Sequence, residues 1–313
     1  GEKNILWPSN IKFYAKSSGT TSDKSKFIPV SNEAIDECHY KGGKDMLSIY
    51  CNNNPDTYLF DGLGLTMGGS HKITEINNED YYVGDLSAIM IHNLPFWAEY
   101  RRTPSVSIAL MDEWESKIRK MAEVTMKHNV TSISGVPSWS LLLIKKILEL
   151  SGKSNILEVW PNLEVFFHGG VNFNPYREQY KRLIPDNKMN YMETYNASEG
   201  FFGIQDVSHK EELLLMLDYG IFYEFLPMDQ VYEENPKAIG LDQVETGKNY
   251  ALVISTNAGL WRYLIGDTIM FTSLNPFRIK ITGRIKNFIN IVGEELIIDN
   301  AEKALATACK KTQ

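Results

Sequence analysis

The chain has 313 residues, 43% of them hydrophobic, and 32 Lys and Arg stand against 39 Asp and Glu for a net charge of −7. That suits a globular protein of one large domain or two ordinary ones, and the absence of any basic run points away from nucleic acid. No apolar stretch is long enough to cross a bilayer and no secretory leader opens the chain, so a cytoplasmic protein without membrane contact is expected.

Three scattered cysteines (Cys38, Cys51 and Cys309) make neither a disulfide framework nor a zinc site, and the six histidines lack ligand spacing. Any metal is therefore expected to arrive with a substrate, and Mg²⁺ on nucleotide phosphate fits that description.

In chain order, the alternating segments Ile11 to Ala15 and Phe27 to Val30 predict two strands around the loop Ser17-Ser18-Gly19-Thr20-Thr21-Ser22-Asp23-Lys24-Ser25-Lys26. Its hydroxyls, backbone N–H groups and ammonium groups could ring an anion, but a solvated polar turn has the same composition. Ser31 or Asn32 caps a helix through Ile35 and Cys38, interrupted at Gly42-Gly43 before Met46, Leu47 and Tyr50. Leu63 to Met67 reads as a strand ending in the turn Gly68-Gly69-Ser70-His71. The spacing of Trp114, Ile118, Met121, Ala122 and Thr125 predicts an amphipathic helix within Asp112 to Lys127. A strand over Val130 to Val136 follows, then a helix from Pro137 closed by Gly152.

Leu163 to Phe167, apolar but for Glu164, is predicted as a strand, Asn174-Pro175 starts a helix to about Leu183, and Met189 to Glu193 is the next strand. This strand–helix alternation predicts parallel crossovers, so the middle of the chain is α/β, with mixed or parallel sheets flanked by helices. After Gly203 the segments Leu213 to Leu217, Ile221 to Phe225, Tyr250 to Ser255, Leu260 to Ile265, Ile269 to Thr272 and Arg278 to Thr282 predict antiparallel sheet or a β-barrel-like subdomain. Phe288 to Leu296 reads as a turn into a separate small unit.

Three further polar clusters stand out. Tyr195-Asn196-Ala197-Ser198-Glu199-Gly200 follows a buried strand, where a carboxyl edge binds ligands, although Asn196 or Ser198 could equally cap a helix. Asp267, directly after Gly266, suits a carboxylate that accepts from ribose hydroxyls, or else an ordinary hairpin turn. Gly283-Arg284-Ile285-Lys286 puts two cations near a turn, to reach the same ligand or to face solvent.

In their order, the hydroxyl-rich loop, Y-x-x-S-E-G, Y-x-x-G-D and G-R-x-K resemble the adenylate-forming (ANL) superfamily. Phe13-Tyr14-Ala15-Lys16, Phe27-Ile28-Pro29-Val30, Glu193-Thr194-Tyr195 and Leu260-Trp261-Arg262-Tyr263 narrow the resemblance to the auxin-responsive-promoter family of acyl-acid amido synthetases, in its bacterial branch. The resemblance runs along essentially the whole chain.

It implies the large N-terminal domain of a ligase that activates a small carboxylic acid with ATP and Mg²⁺ and passes the acyl group to an amino acid. Ser17, Ser18, Thr20 and Thr21 would hold the phosphates, with Lys24 or Lys26 assisting. Tyr195 would line the adenine site beside Gly169 and Gly170, which follow His168; Ser198 would meet the α-phosphate, and Glu199 would take the metal. Asp267 would hold the ribose, Arg284 would support it, and Lys286 would sit at the hinge.

The same resemblance implies an adenylation domain over 1–285 lacking a preceding helical segment, with 286–313 as hinge and start of a truncated C-terminal domain. Nucleotide binding is then expected to survive and turnover to be impaired. Relatives often have glycine where this loop reads Thr21-Ser22-Asp23. The alternatives are an acyl-CoA ligase of the same superfamily and a nucleotide- or acid-binding protein without turnover. Phe96, Trp97, Trp139 and Phe173 are candidates for an acyl pocket wall or for core. The residues give no acyl acid, acceptor amine, second-step base or oligomeric state.

Overall fold

The computed structural model describes residues 5–17, 26–76, 79–186, 189–285, 289–291 and 294–296. The first hairpin, β1 (Phe13–Ser17) and β2 (Lys26–Val30), leads through a π-helical stretch (Ala34–Tyr40) into α1 (Lys41–Asn53). Next come β3 (Leu63–Thr66), β4 (His71–Ile76), β5 (Glu79–Gly84), the short helices α2 (Leu86–His92) and α3 (Phe96–Glu99), β6 (Arg102–Thr103) and α4 (Val106–Ala109). The crossover region follows as α5 (Trp114–Thr125), β7 (Val130–Gly135), α6 (Pro137–Ser151), β8 (Val165–Gly169), α7 (Arg177–Leu183) and β9 (Asn190–Ala197). Then come β10 (Gly200–Ile204), β11 (Leu213–Leu215), β12 (Ile221–Pro227), β13 (Asn249–Thr256), β14 (Tyr263–Leu274) and β15 (Phe277–Arg284). A separate two-stranded pair, β16 (Ile289–Ile291) and β17 (Glu294–Leu296), ends the described chain.

Two sheets carry the architecture. The larger has 11 strands in the order β12-β13-β14-β15-β11-β10-β9-β8-β7-β3-β6. Its β6-β3-β7-β8-β9 part is parallel, as the strand–helix alternation predicts, and from β9 to β12 every pairing is antiparallel. The strand-rich part expected as a barrel-like subdomain thus continues the same sheet through β9 and β10, in an open order. The smaller sheet, β2-β1-β5-β4, carries the first hairpin.

Strand β8 reads as an unbroken apolar run because both of its faces are covered. Val165 and Phe167 join one core with Tyr50 of α1, while Phe166 joins the opposite core with Ile144, Ile147 and Tyr180. A third cluster fastens the small sheet to the large one: Ala15, Ile28 and Val30 pack on Ala258, with Leu260 and Tyr263 at its border.

Local signals set the helix ends. Glu113 accepts from the Glu115 and Ser116 N–H groups at the start of α5, Pro137 opens α6, and Gly152 closes it at φ +66°. Ser31 Oγ accepts from the Ala34 N–H at 2.9 Å, the cap expected for the first helix. Gly42-Gly43, however, do not interrupt that helix. A Cβ at Gly42 would lie 2.6 Å from Cγ of Phe201, so this glycine lets the β10 aromatic ring pack against the helix backbone. Among the described residues no helix is long and apolar enough to cross a membrane.

Candidate active site

The strand expected over Met189 to Glu193 continues to Ala197 and turns back at once: Ala197 pairs with Gly200, leaving Ser198-Glu199 as the hairpin turn. No helix begins there, so the capping alternative falls. Asp267 is not a hairpin-turn residue either. The two strands expected around it are the single strand β14, whose register with β13 shifts between Ala251 and Val253, beside Gly266 at φ +98°. The bulge is what a glycine at positive φ permits.

These placements bring distant residues together. Tyr195, only 5% exposed, donates its phenol proton to Asp267 Oδ2 at 2.8 Å. Burial first, and then the Asp267 charge, hold that phenol well above its ordinary pKa, so it is a permanent donor. Arg284 stands directly opposite Asp267 across the β14–β15 ladder, with Nε 3.0 Å from Oδ1. Each Asp267 oxygen has one protein partner from these two residues and keeps a lone pair, which is what binding a vicinal diol requires.

Glu199 completes the cluster. Its burial raises the carboxyl pKa and Asp267 adds to the rise, while Lys26 and Arg284 pull it down. Lys26 Nζ donates to the Tyr263 hydroxyl at 3.1 Å. Ser17 pairs with Lys26 at the end of the first hairpin; Ser18, Thr20, Thr21 and Lys24 lie between them, outside the described residues, as does Lys286.

Gly169 ends β8 beside Thr194, and Gly170 follows at φ +80°. A Cβ at Gly169 would fall inside the contact distance of the Thr194 carbonyl oxygen, so backbone approaches backbone closely next to Tyr195. Among the described residues no group of three or more His, Cys, Asp or Glu could hold a metal. A single part-buried carboxylate such as Glu199 suits a Mg²⁺ whose other ligands are water and phosphate oxygens.

The sequence profile of the GH3 family N-terminal domain matches residues 1–189, and that of the GH3 family central domain matches residues 214–284. The chain belongs to the GH3 family. It is 29% identical over 182 residues to indole-3-acetic acid-amido synthetase GH3.3 of Arabidopsis thaliana, covering 52% of this chain and 30% of that protein. It is 28% identical over 145 residues to jasmonoyl--L-amino acid synthetase GH3.5 of Oryza sativa subsp. japonica, covering 41% and 24%.

In structure it is similar to the AtGH3.15 acyl acid amido synthetase in complex with 2,4-DB, at TM-score 0.77 and 16% identity over 97% of this chain and 62% of that one. ATP-bound MatB from Rhodopseudomonas palustris superimposes at TM-score 0.51 and 14% identity, over 92% and 51%. The GH3 chain thus spans under a third of these two curated relatives and under two thirds of these solved structures. The fold is shared with these two structures.

The four aromatic candidates divide in this GH3 chain: Trp139 and Phe173 join one core cluster, and Phe96 and Trp97 do not. Phe96 and Trp97 are exposed, Trp139 meets Trp114 edge-on at 5.3 Å, and Phe173 is buried with its ring stacked 4.3 Å from His168. Residue type alone cannot say which aromatic is covered.

Sequence reasoning also passed over Glu193, which stands opposite His168 on β9 and lines a cavity of about 290 Å³ with Arg177 and Tyr191. Burial, with Glu211 adding, pushes its carboxyl up to about 7, against the Arg177 charge. Between about pH 4.5 and pH 7 the folded chain keeps a proton that the unfolded chain releases, so this group's contribution to stability falls as pH rises. Glu193→Gln is expected to be near-neutral at pH 4.5 and to stabilise by about 1–3 kcal/mol at pH 8. Urea unfolding at the two pH values checks this; equal effects at both would remove the burial penalty as its cause.

Proposed function

We propose that the protein is an ATP-dependent acyl-acid amido synthetase, with residues 1–285 as the nucleotide-holding domain and 286–313 as the hinge segment. The observation that carries the reading is the junction of Tyr195, Asp267 and Arg284 beside Glu199 and Lys26, drawn from well-separated stretches of a GH3 chain. The names of its relatives, indole-3-acetic acid-amido and jasmonoyl--L-amino acid synthetases, support an acid and an amino acid as substrates. The similarity to ATP-bound MatB supports the nucleotide.

In the first step a carboxylate oxygen of a small organic acid attacks the α-phosphorus of ATP. The bond from that phosphorus to the bridging oxygen breaks, and pyrophosphate leaves. In the second step the amino group of an amino acid attacks the acyl carbon, AMP departs and the nitrogen loses a proton. Neither step needs a protein nucleophile, so the residues position groups and balance charge.

Asp267 takes the ribose hydroxyls, with Arg284 fixing its orientation. Tyr195, Gly169 and Gly170 border the base, Ser198 meets the α-phosphate, and Ser17, Ser18, Thr20, Thr21 and Lys24 meet the remaining phosphates. Lys286 acts at the hinge. Mg²⁺, when bound, neutralises phosphate charge, and Glu199 is the side chain that would hold it.

The test is acid-dependent exchange of labelled pyrophosphate into ATP over a panel of small carboxylic acids. Glu199→Ala is expected to lower exchange about 100-fold or more, as loss of a group that stabilises developing charge does. Exchange that occurs and is unchanged in that variant would count against the reading. Adding amino acids or coenzyme A then identifies which nucleophile consumes the adenylate.

A further inference from the structure

Lys26 is the last residue of the hydroxyl-rich loop and the first of β2; Tyr263 is the first residue of β14, on the other sheet. They are 237 residues apart in sequence, yet the Lys26 ammonium donates to the Tyr263 hydroxyl at 3.1 Å and lies 5.3 Å from the centre of its ring. Tyr263 is itself part-buried at the border of the cluster in which Ala15, Ile28 and Val30 of the small sheet pack on Ala258. The ring is therefore held in place by apolar contacts that do not depend on its hydroxyl.

We propose that Tyr263 is a positioning residue for Lys26, fixing the ammonium at the foot of the loop so that it faces the polyphosphate of a bound nucleoside triphosphate. The inference rests on the reading of the site given above. A lysine has a flexible four-carbon stem with many rotamers, so a free ammonium beside a carboxylate is poorly placed for a second anion. The Tyr263 hydroxyl accepts a hydrogen bond from one of its three N–H groups, leaving two to donate to phosphate oxygens.

Glu199, on the turn between β9 and β10, is a carboxylate that interacts electrostatically with Lys26. Without the tyrosine hydroxyl the ammonium can swing to that carboxylate or to water. With it, cation and carboxylate remain separate features of the site, one for phosphate oxygen and one for a metal.

Tyr263→Phe keeps the ring and removes only the hydroxyl. Calorimetry with the 313-residue chain is expected to show ATP binding weakened about 3- to 10-fold while adenosine binding is unchanged. Lys26→Met is expected to weaken ATP binding at least as much, and the double variant no more than Lys26→Met alone. A second measurement needs no nucleotide: acetylation of Lys26 by an N-hydroxysuccinimide ester, followed by mass spectrometry, is expected to run several-fold faster in Tyr263→Phe.

Additive losses in the double variant, an equal loss for ATP and adenosine, or unaltered Lys26 labelling would each overturn the proposal. A wild-type chain that binds no ATP would instead bring down the reading of the site, and the labelling rates alone would then decide whether Tyr263 holds Lys26. Thermal unfolding of each variant separates a local effect from a damaged fold.

Discussion

Replacing Asp267 by alanine is expected to abolish measurable ATP binding, a loss of about 100-fold or more, and to destabilise the fold by about 2–4 kcal/mol. Both effects come from one carboxylate. At 7% exposure it accepts from the Tyr195 phenol on one oxygen and pairs with Arg284 on the other, so its removal takes the acceptor from a buried hydroxyl and the ion pair from a guanidinium together. The Arg284 side chain is 44% exposed and can turn to water, which keeps the penalty below that of a fully buried broken pair.

Asp267→Asn separates the two roles. It retains an acceptor for Tyr195 but loses the charge facing Arg284, and about a 10-fold weaker affinity with about 1–2 kcal/mol lower stability is expected. Calorimetric titration with ATP, paired with urea unfolding of the same samples, measures both. An alanine variant that binds ATP as tightly as wild type would remove Asp267 from the nucleotide site.

Gly169→Ala is the second large effect, and its neighbour is the control. At Gly169 the added carbon meets the carbonyl oxygen of Thr194, and backbone cannot escape by changing a rotamer. Strands β8 and β9 have to part at their carboxyl ends, where Gly169 pairs with Thr194 and Tyr195 follows. A destabilisation of about 3 kcal/mol or more is expected, together with weaker ATP binding.

Gly170→Ala meets only Val136 Cγ2 at 3.6 Å, an ordinary contact, and its cost is the strain of φ +80° alone, about 1 kcal/mol. Urea unfolding of the two variants tests the contrast. Equal, small losses would mean that the two strands are not packed this closely at the edge.

The signals that proved legible are those whose physics is local. Pro137 and Gly152 mark the ends of α6 because a missing N–H and a positive φ are decided within one turn. Strand β8 announced itself because Val165, Phe166 and Phe167 are all apolar, as burial on both faces demands. The order of the four polar clusters was equally readable, and with it the family. Gly42-Gly43 misled because propensity alone marks glycine as a breaker, whereas the reason for Gly42 lies on β10, at the ring of Phe201.

What the chain determined by itself was therefore most of its element types, the parallel middle of the sheet, and the family, through the order of its polar clusters. The fold alone decided that Asp267 sits at a bulge opposite Arg284, that Tyr195 closes onto it, that Lys26 meets Tyr263, and that Phe96 and Phe173 end in opposite environments. The division has one cause. Caps, breakers and apolar periodicity act within one element, but which side chains face each other across two sheets depends on the register of β14 against its neighbour strand and on how the small sheet packs against Ala258, the second a contact between residues more than 200 positions apart.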